Sequence, residues 1–139
     1  MTSVNPSPVV PRDHEMQIRV RYQETDAQGR VHHTNYISYF ELARVEMLRT
    51  SGKTYRDLES DGIMLVVINV NCNYYVGANY DDLLTIKTKV TKAKGVRIHH
   101  SYEIYVDDRL VCDGNTVIAA VDPTGKVVRL PKWLQIETE

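Results

Sequence analysis

The sequence predicts an α+β domain in which one five-stranded antiparallel sheet wraps a single long helix, and three observations predict it. Apolar residues recur at helical spacing over one sustained stretch, Tyr36 to Leu48. Alternation with a period of two dominates the chain from Val66 onward. Short turn signatures separate the alternating runs, which favours hairpins between neighbouring strands.

Met1 to Pro11 contains three prolines and no basic start followed by an apolar core. Residues 1–14 are therefore expected to be a disordered or extended tail, and residues 15–139 one domain. From Met16 to Gln23, Met16, Ile18, Val20 and Tyr22 alternate with Gln17, Arg19 and Arg21, as in a half-buried strand. Ala27-Gln28-Gly29 breaks that pattern, and Gly29 suits a sharp reversal through positive φ.

Thr34 or Asn35 is suited to cap the helix that follows, because a short side-chain oxygen accepts from a free amide. The helix is expected over residues 35–51, about 25 Å long at 1.5 Å per residue. Tyr36, Tyr39, Phe40, Ala43, Met47 and Leu48 form its apolar stripe, with Glu41, Arg44 and Arg49 mostly off it. Gly52 stands where a left-handed residue ends a helix. One further helical turn fits residues 55–61.

Val66, Ile68, Val70, Cys72 and Tyr74 alternate with Val67, Asn69, Asn71, Asn73 and Tyr75 in the next strand. Strands over 83–92 and 96–106 flank a hairpin turn at Ala93-Lys94-Gly95, and Asp107-Asp108 leads into a strand over 110–121. Gly114 inside the last run signals a bulge or a close backbone approach. Asp122-Pro123-Thr124-Gly125 is a turn, after which Val127 to Leu130 can extend the sheet. A sheet with one helix leaves edges or a face uncovered, so a second copy is expected to cover them.

The 139 residues suit one domain, and 42% hydrophobic with 25% charged residues is ordinary for a globular chain. A net charge of −1 argues against a general nucleic-acid binder. The longest apolar run, Ile63 to Ile68, is far short of a membrane helix. Two cysteines without CxxC spacing, Cys72 and Cys112, fit reduced core residues in a cytoplasmic protein.

The chemistry concentrates in the connection before the helix. Asp26 reads either as an Asx-turn residue or as a reactive carboxylate delivered to a helix N-terminus, whose first amides lack partners. Tyr22 and His33 bring a phenol and an imidazole to the same connection. His32-His33 does not make a metal pair, because adjacent side chains diverge and no third ligand is suitably spaced. On a strand, His99 and His100 point one outward and one inward. Lys87, Lys89, Lys92, Lys94 and Arg97 read as a solvated hairpin or as a dock for nucleotide phosphates. Glycine-rich phosphate loops and a GxSxG elbow are both absent.

The run Tyr22-x3-Asp26-x2-Gly29-x3-His33-x-Asn35-Tyr36, followed by Tyr39-Phe40-Glu41-x-Ala43-Arg44, resembles the hotdog-fold acyl-CoA thioesterases of the 4-hydroxybenzoyl-CoA thioesterase type. Within that group it is most similar to the bacterial branch linked to the Tol-Pal system. Tyr80-Asp81-Asp82 and Arg129-Leu130-Pro131 extend the likeness over nearly all of the chain after the tail. The resemblance implies a hotdog fold, dimers or tetramers with interfacial active sites, and hydrolysis of acyl-CoA or acyl-carrier-protein thioesters. It implies Asp26 as nucleophile or general base and the His33 amide as oxyanion donor, with Tyr22 and the His33 side chain also in the site. Substrate contacts are then expected from Gly29, Asn35, Tyr36 and Glu41, with Lys94 and Arg97 toward the coenzyme A phosphates. No separate cofactor is called for, since coenzyme A is part of the substrate.

Two positions depart from the family pattern. Arg30 replaces a common aliphatic residue and Gly77 a frequent proline, and Arg30 adjoins the catalytic run. The competing readings are a 3-hydroxyacyl thioester dehydratase, which needs a histidine paired with an acidic helix residue, and a non-catalytic acyl-thioester-binding module.

Overall fold

A computed structural model describes residues 10–136. Strand β1 (Asp13–Arg19) leads through a 3₁₀ turn (Tyr22–Glu24) to helix α1 (His33–Arg49). A short helix α2 (Tyr55–Ser60) follows, then β2 (Met64–Tyr74), β3 (Leu83–Lys94), β4 (Arg97–Val106) and β5 (Arg109–Val121). A second 3₁₀ turn (Lys132–Leu134) lies near the end. The strands form one antiparallel sheet in the order β1-β3-β4-β5-β2, with α1 packed on one face. This is the five-stranded sheet with one long helix that the sequence predicts.

Several boundaries differ. Asp13 and His14, expected in the tail, are the first residues of β1; residues 1–9 lie outside those described. The first strand ends at Arg19, and the 3₁₀ turn carries Tyr22 out to solvent at 75% exposure. Helix α1 starts two residues before Asn35, because neither Thr34 nor Asn35 is its cap. His32 is, with extended backbone and Nδ1 accepting from Thr34 N at 3.3 Å. The first hairpin turns at Gly95-Val96, where Gly95 takes φ +66°. Val127 to Leu130 forms no strand: Val127 only bridges to Val121 around the Asp122 turn, and Leu130 N donates to Gly95 O at 2.8 Å.

The core has two apolar lobes. Tyr36, Tyr39, Phe40 and Ala43 pack with Leu84, Ile86, Ile104 and Cys112, while Met47 and Leu48 pack with Val90, Ile98, Ile118 and Leu134. Between them each central element contributes a buried polar residue: Arg44 from α1, Thr88 from β3, His100 from β4 and Thr116 from β5. Arg44 was expected off the stripe, yet it is only 7% exposed. Its guanidinium has the Tyr55 and Tyr102 hydroxyls beside it, and Tyr102 Oη lies 2.6 Å from Thr116 Oγ1. Near the Phe40 end, a Cβ on Gly114 would collide with the Asn71 carbonyl and stand 2.7 Å from the Phe40 ring. Gly114 therefore marks a close approach, one of the two readings its sequence position allowed.

His100 makes this polar layer sensitive to pH. Burial, then the nearby Arg44 charge and His99, push its imidazole down to about 3 from an ordinary 6.5. The unfolded chain therefore binds the extra proton first, so stability is fully present above pH 6.5 and declines as pH falls through the window down to about 3. Between pH 8 and pH 5 the expected loss from this group is about 2 kcal/mol. Urea titrations of the wild type and His100→Gln at both pH values check it, and equal losses in the two proteins would refute it.

β2 departs most from expectation. It lies at the sheet edge and exposes apolar residues on both faces: Val66, Val67, Ile68 and Val70 are between 39% and 49% exposed. The alternation correctly marked a strand, but one that gives the core only Leu65 and Cys72, each partly buried, among the described residues.

Candidate active site

The chain between β1 and α1 is folded by its own backbone bonds. Asp26 N donates to Arg30 O at 2.8 Å, Gly29 N donates to Asp26 O at 3.0 Å, and Gly29 takes φ +80° to close the turn. Val31 N donates to Ala78 O at 2.8 Å, tying the turn to the segment after β2. His32 N donates to Glu24 O at 2.9 Å, and Asn35 Nδ2 donates to the same carbonyl at 2.8 Å. Asp26 and the start of α1 are thus held in a fixed relation by bonds on both sides.

The first amides of α1 divide unequally. Thr34 N goes to the His32 side chain and Asn35 N to His32 O at 2.9 Å. Among the described residues none accepts from His33 N. His33 is the first residue of a 17-residue helix whose positive dipole end lies here. A cavity of about 450 Å³ is lined by Asp26 and His33, with His32, Tyr36, Tyr74 and Tyr75 among its other walls. The residues that carry the carboxylate and the unpaired amide therefore both line one cavity.

Tyrosines close the rest of it. Tyr74 Oη donates to His33 O at 3.0 Å, and its ring centroid lies 5.7 Å from that of Tyr36. Burial above all pushes both phenols up to about 12, so each remains protonated at neutral pH. Among the described residues no three His, Cys, Asp or Glu side chains are grouped to hold a metal ion.

Of the residues singled out from sequence, the fold brings Asp26, His33 and Tyr36 together at this cavity. Asp26 also keeps its turn role, since Oδ1 accepts from Gln28 N at 2.9 Å. Tyr22 is elsewhere, stacked on Tyr80 with ring centroids 3.7 Å apart. Gly29 and Asn35 shape the connection and are not among the lining residues, and Glu41 is exposed farther along α1. Lys94 and Arg97 flank the turn beside Ala93, which packs with Met47 and Leu48 at the other end of α1. One chain does not bring them to Asp26.

Sequence reasoning missed His32, Tyr74, Tyr75 and Gln28. The two tyrosines end the cleanest alternating run, just before Val76-Gly77, which was the available signal. His32 gave none, because imidazole is an uncommon helix cap.

Known proteins share both sequence and fold with this chain. A family profile described as the thioesterase-like superfamily matches residues 20–137. The acyl-CoA thioester hydrolase YbgC of Escherichia coli O157:H7 is 33% identical over 122 residues, covering 86% of this chain and 91% of the relative. The acyl-CoA thioesterase YbgC of Haemophilus influenzae is 36% identical, covering 83% and 86%. The crystal structure of a DHNA-CoA thioesterase from Staphylococcus aureus superposes with a TM-score of 0.81 at 33% identity, covering 85% of this chain and 80% of that one.

Proposed function

The chain belongs to the thioesterase-like superfamily, and from that premise we propose that its Asp26 cavity hydrolyses acyl-CoA thioesters to a free acid and coenzyme A. The single observation that carries the proposal is that Asp26 and His33, whose backbone amide has no acceptor among the described residues, line the same cavity. Asp26 delivers the attack on the thioester carbon, either by taking a proton from the attacking water or directly. In the direct case water afterwards hydrolyses the acyl-Asp26 anhydride to release the acid and restore the carboxylate. The carbonyl oxygen becomes an oxyanion and accepts from His33 N. Collapse of that intermediate breaks the C–S bond, and the thiolate leaves and takes up a proton. A preorganised donor of this kind is typically worth about 3–4 kcal/mol in the transition state.

The test uses the difference between a side chain and an amide. His33→Ala keeps the amide and should retain most of the turnover. His33→Pro removes the N–H at a position where proline fits, since a first helical residue tolerates it. The preceding His32 already has extended backbone, with φ −64° and ψ 136°, as a residue before proline requires. His33→Pro should lower kcat by about 10²-fold in thiol-release assays. Equal losses in both variants would move the role from the amide to the imidazole.

No acidic residue of α1 lines the cavity, so nothing favours the dehydratase reading. Self-association belongs to the proposal too. The exposed valine-rich edge of β2 supports pairing with a second copy, beside which Tyr74 and Tyr75 carry the cavity. Sedimentation should give at least twice the 16.0 kDa chain mass, and a monomer at micromolar concentration would refute pairing. The two free cysteines support a cytoplasmic setting, which cell fractionation would check.

A further inference from the structure

The Asp26 cavity contains a cation that the hydrolytic steps do not use. Arg30 is one of its lining residues. Among the described residues no carboxylate lies within ion-pair distance of Arg30, Asp26 included. Its backbone is fixed on both sides, through the Asp26 N to Arg30 O bond of 2.8 Å and a bridge to Asn79. Its side chain lies across Gly77. A Cβ there would stand 2.8 Å from Arg30 Cδ and 3.3 Å from Nε, and the three nearest atoms all belong to Arg30. The two departures from the family pattern are therefore one feature: the missing side chain at Gly77 is the seat of the arginine.

We infer that Arg30 selects the acyl group, and that this site takes acyl-CoAs whose acyl chain carries a carboxylate. The inference rests on the reading of the Asp26 cavity as the thioester site. A guanidinium without an internal partner matches a carboxylate through two parallel N–H bonds. Coenzyme A brings anions of its own, but its phosphates lie at the far end of the pantetheine arm from the sulfur. Arg30 and the Gly77 on which its side chain lies both line the cavity that Asp26 lines, so its guanidinium is placed for groups near the scissile bond rather than for the phosphates. Tyr36, Tyr74 and Tyr75 in the same cavity supply aromatic surface for the methylenes between thioester and carboxylate.

The test compares hexanoyl-CoA with adipoyl-CoA, acyl chains of equal length ending in a methyl group and a carboxylate. Wild type should favour adipoyl-CoA in kcat/KM by about 10-fold or more. Arg30→Met should abolish that preference while holding the hexanoyl rate within about threefold. Gly77→Ala retains the cation but displaces it from its seat, and should lower the preference with little effect on hexanoyl-CoA. Hydrolysis of both thioesters by wild type without preference would overturn the inference and leave the thioesterase reading intact. An equal loss on both substrates in Arg30→Met, vanishing with acyl-pantetheine thioesters that lack phosphates, would assign Arg30 to coenzyme A and also overturn it. Cleavage of neither thioester by wild type would overturn both readings.

Discussion

Replacing Asp26 by Asn should lower kcat for acyl-CoA hydrolysis by about 10²–10⁴-fold, the usual contribution of a positioned carboxylate acting as base. The substitution removes the charge and conserves the shape. Asn Oδ1 can still accept from Gln28 N, the 2.9 Å bond that Asp26 makes in its turn. The reversal through Gly29 and the start of α1 should therefore survive, and the melting temperature should stay close to that of the wild type. An activity loss without a stability loss separates the reactive role of Asp26 from its turn role. Turnover near the wild-type level, measured by thiol release with correctly folded protein, would remove Asp26 from the mechanism.

The largest expected effect on stability is at Gly114. In Gly114→Ala the new methyl meets the Asn71 backbone carbonyl and the Phe40 ring at once. The ring can yield by rotating, but it is fully buried and stacked on Tyr102 with centroids 4.3 Å apart. The carbonyl cannot move without disturbing the β2–β5 ladder, where Cys72 pairs with Gly114. Overpacking of this kind costs about 3 kcal/mol. For a chain of this size the melting temperature should fall by about 10 °C. Adding Phe40→Leu should recover only the part due to the ring. Full recovery would show that the carbonyl contact is unimportant, and no loss in the single variant would show that the approach is looser than described.

The sequence disclosed those features whose cause is local. Tyr36, Tyr39, Phe40, Ala43, Met47 and Leu48 all lie buried on α1, because helical period alone selects them. Gly29, Gly52 and Gly125 all take positive φ at the reversals where their neighbours suggested turns. Asp26 and His33 could be placed near each other because only a short turn separates them. What was hidden depends on partners distant in sequence. Arg44 looked like a surface residue until its neighbours proved to be Tyr55 and Tyr102. His32 caps the helix through a ring nitrogen that cap preferences do not anticipate. The largely exposed faces of β2 follow from its place at the sheet edge, which alternation cannot report. Tyr22 was read as part of a strand continued four residues too far, to Gln23, across the point where the 3₁₀ turn redirects the chain.

Arg44, Thr88, His100 and Thr116 stand as a partition across the interior, and a partitioned interior can be altered one room at a time. The room facing Asp26 holds Val31 and Tyr36, which wall the cavity, so enlarging or narrowing it changes which acyl groups fit. The other room, closed by Leu58, Leu130 and Leu134, has no wall in common with that cavity. Drift in substrate preference and hardening against heat can therefore proceed on separate halves of one small domain.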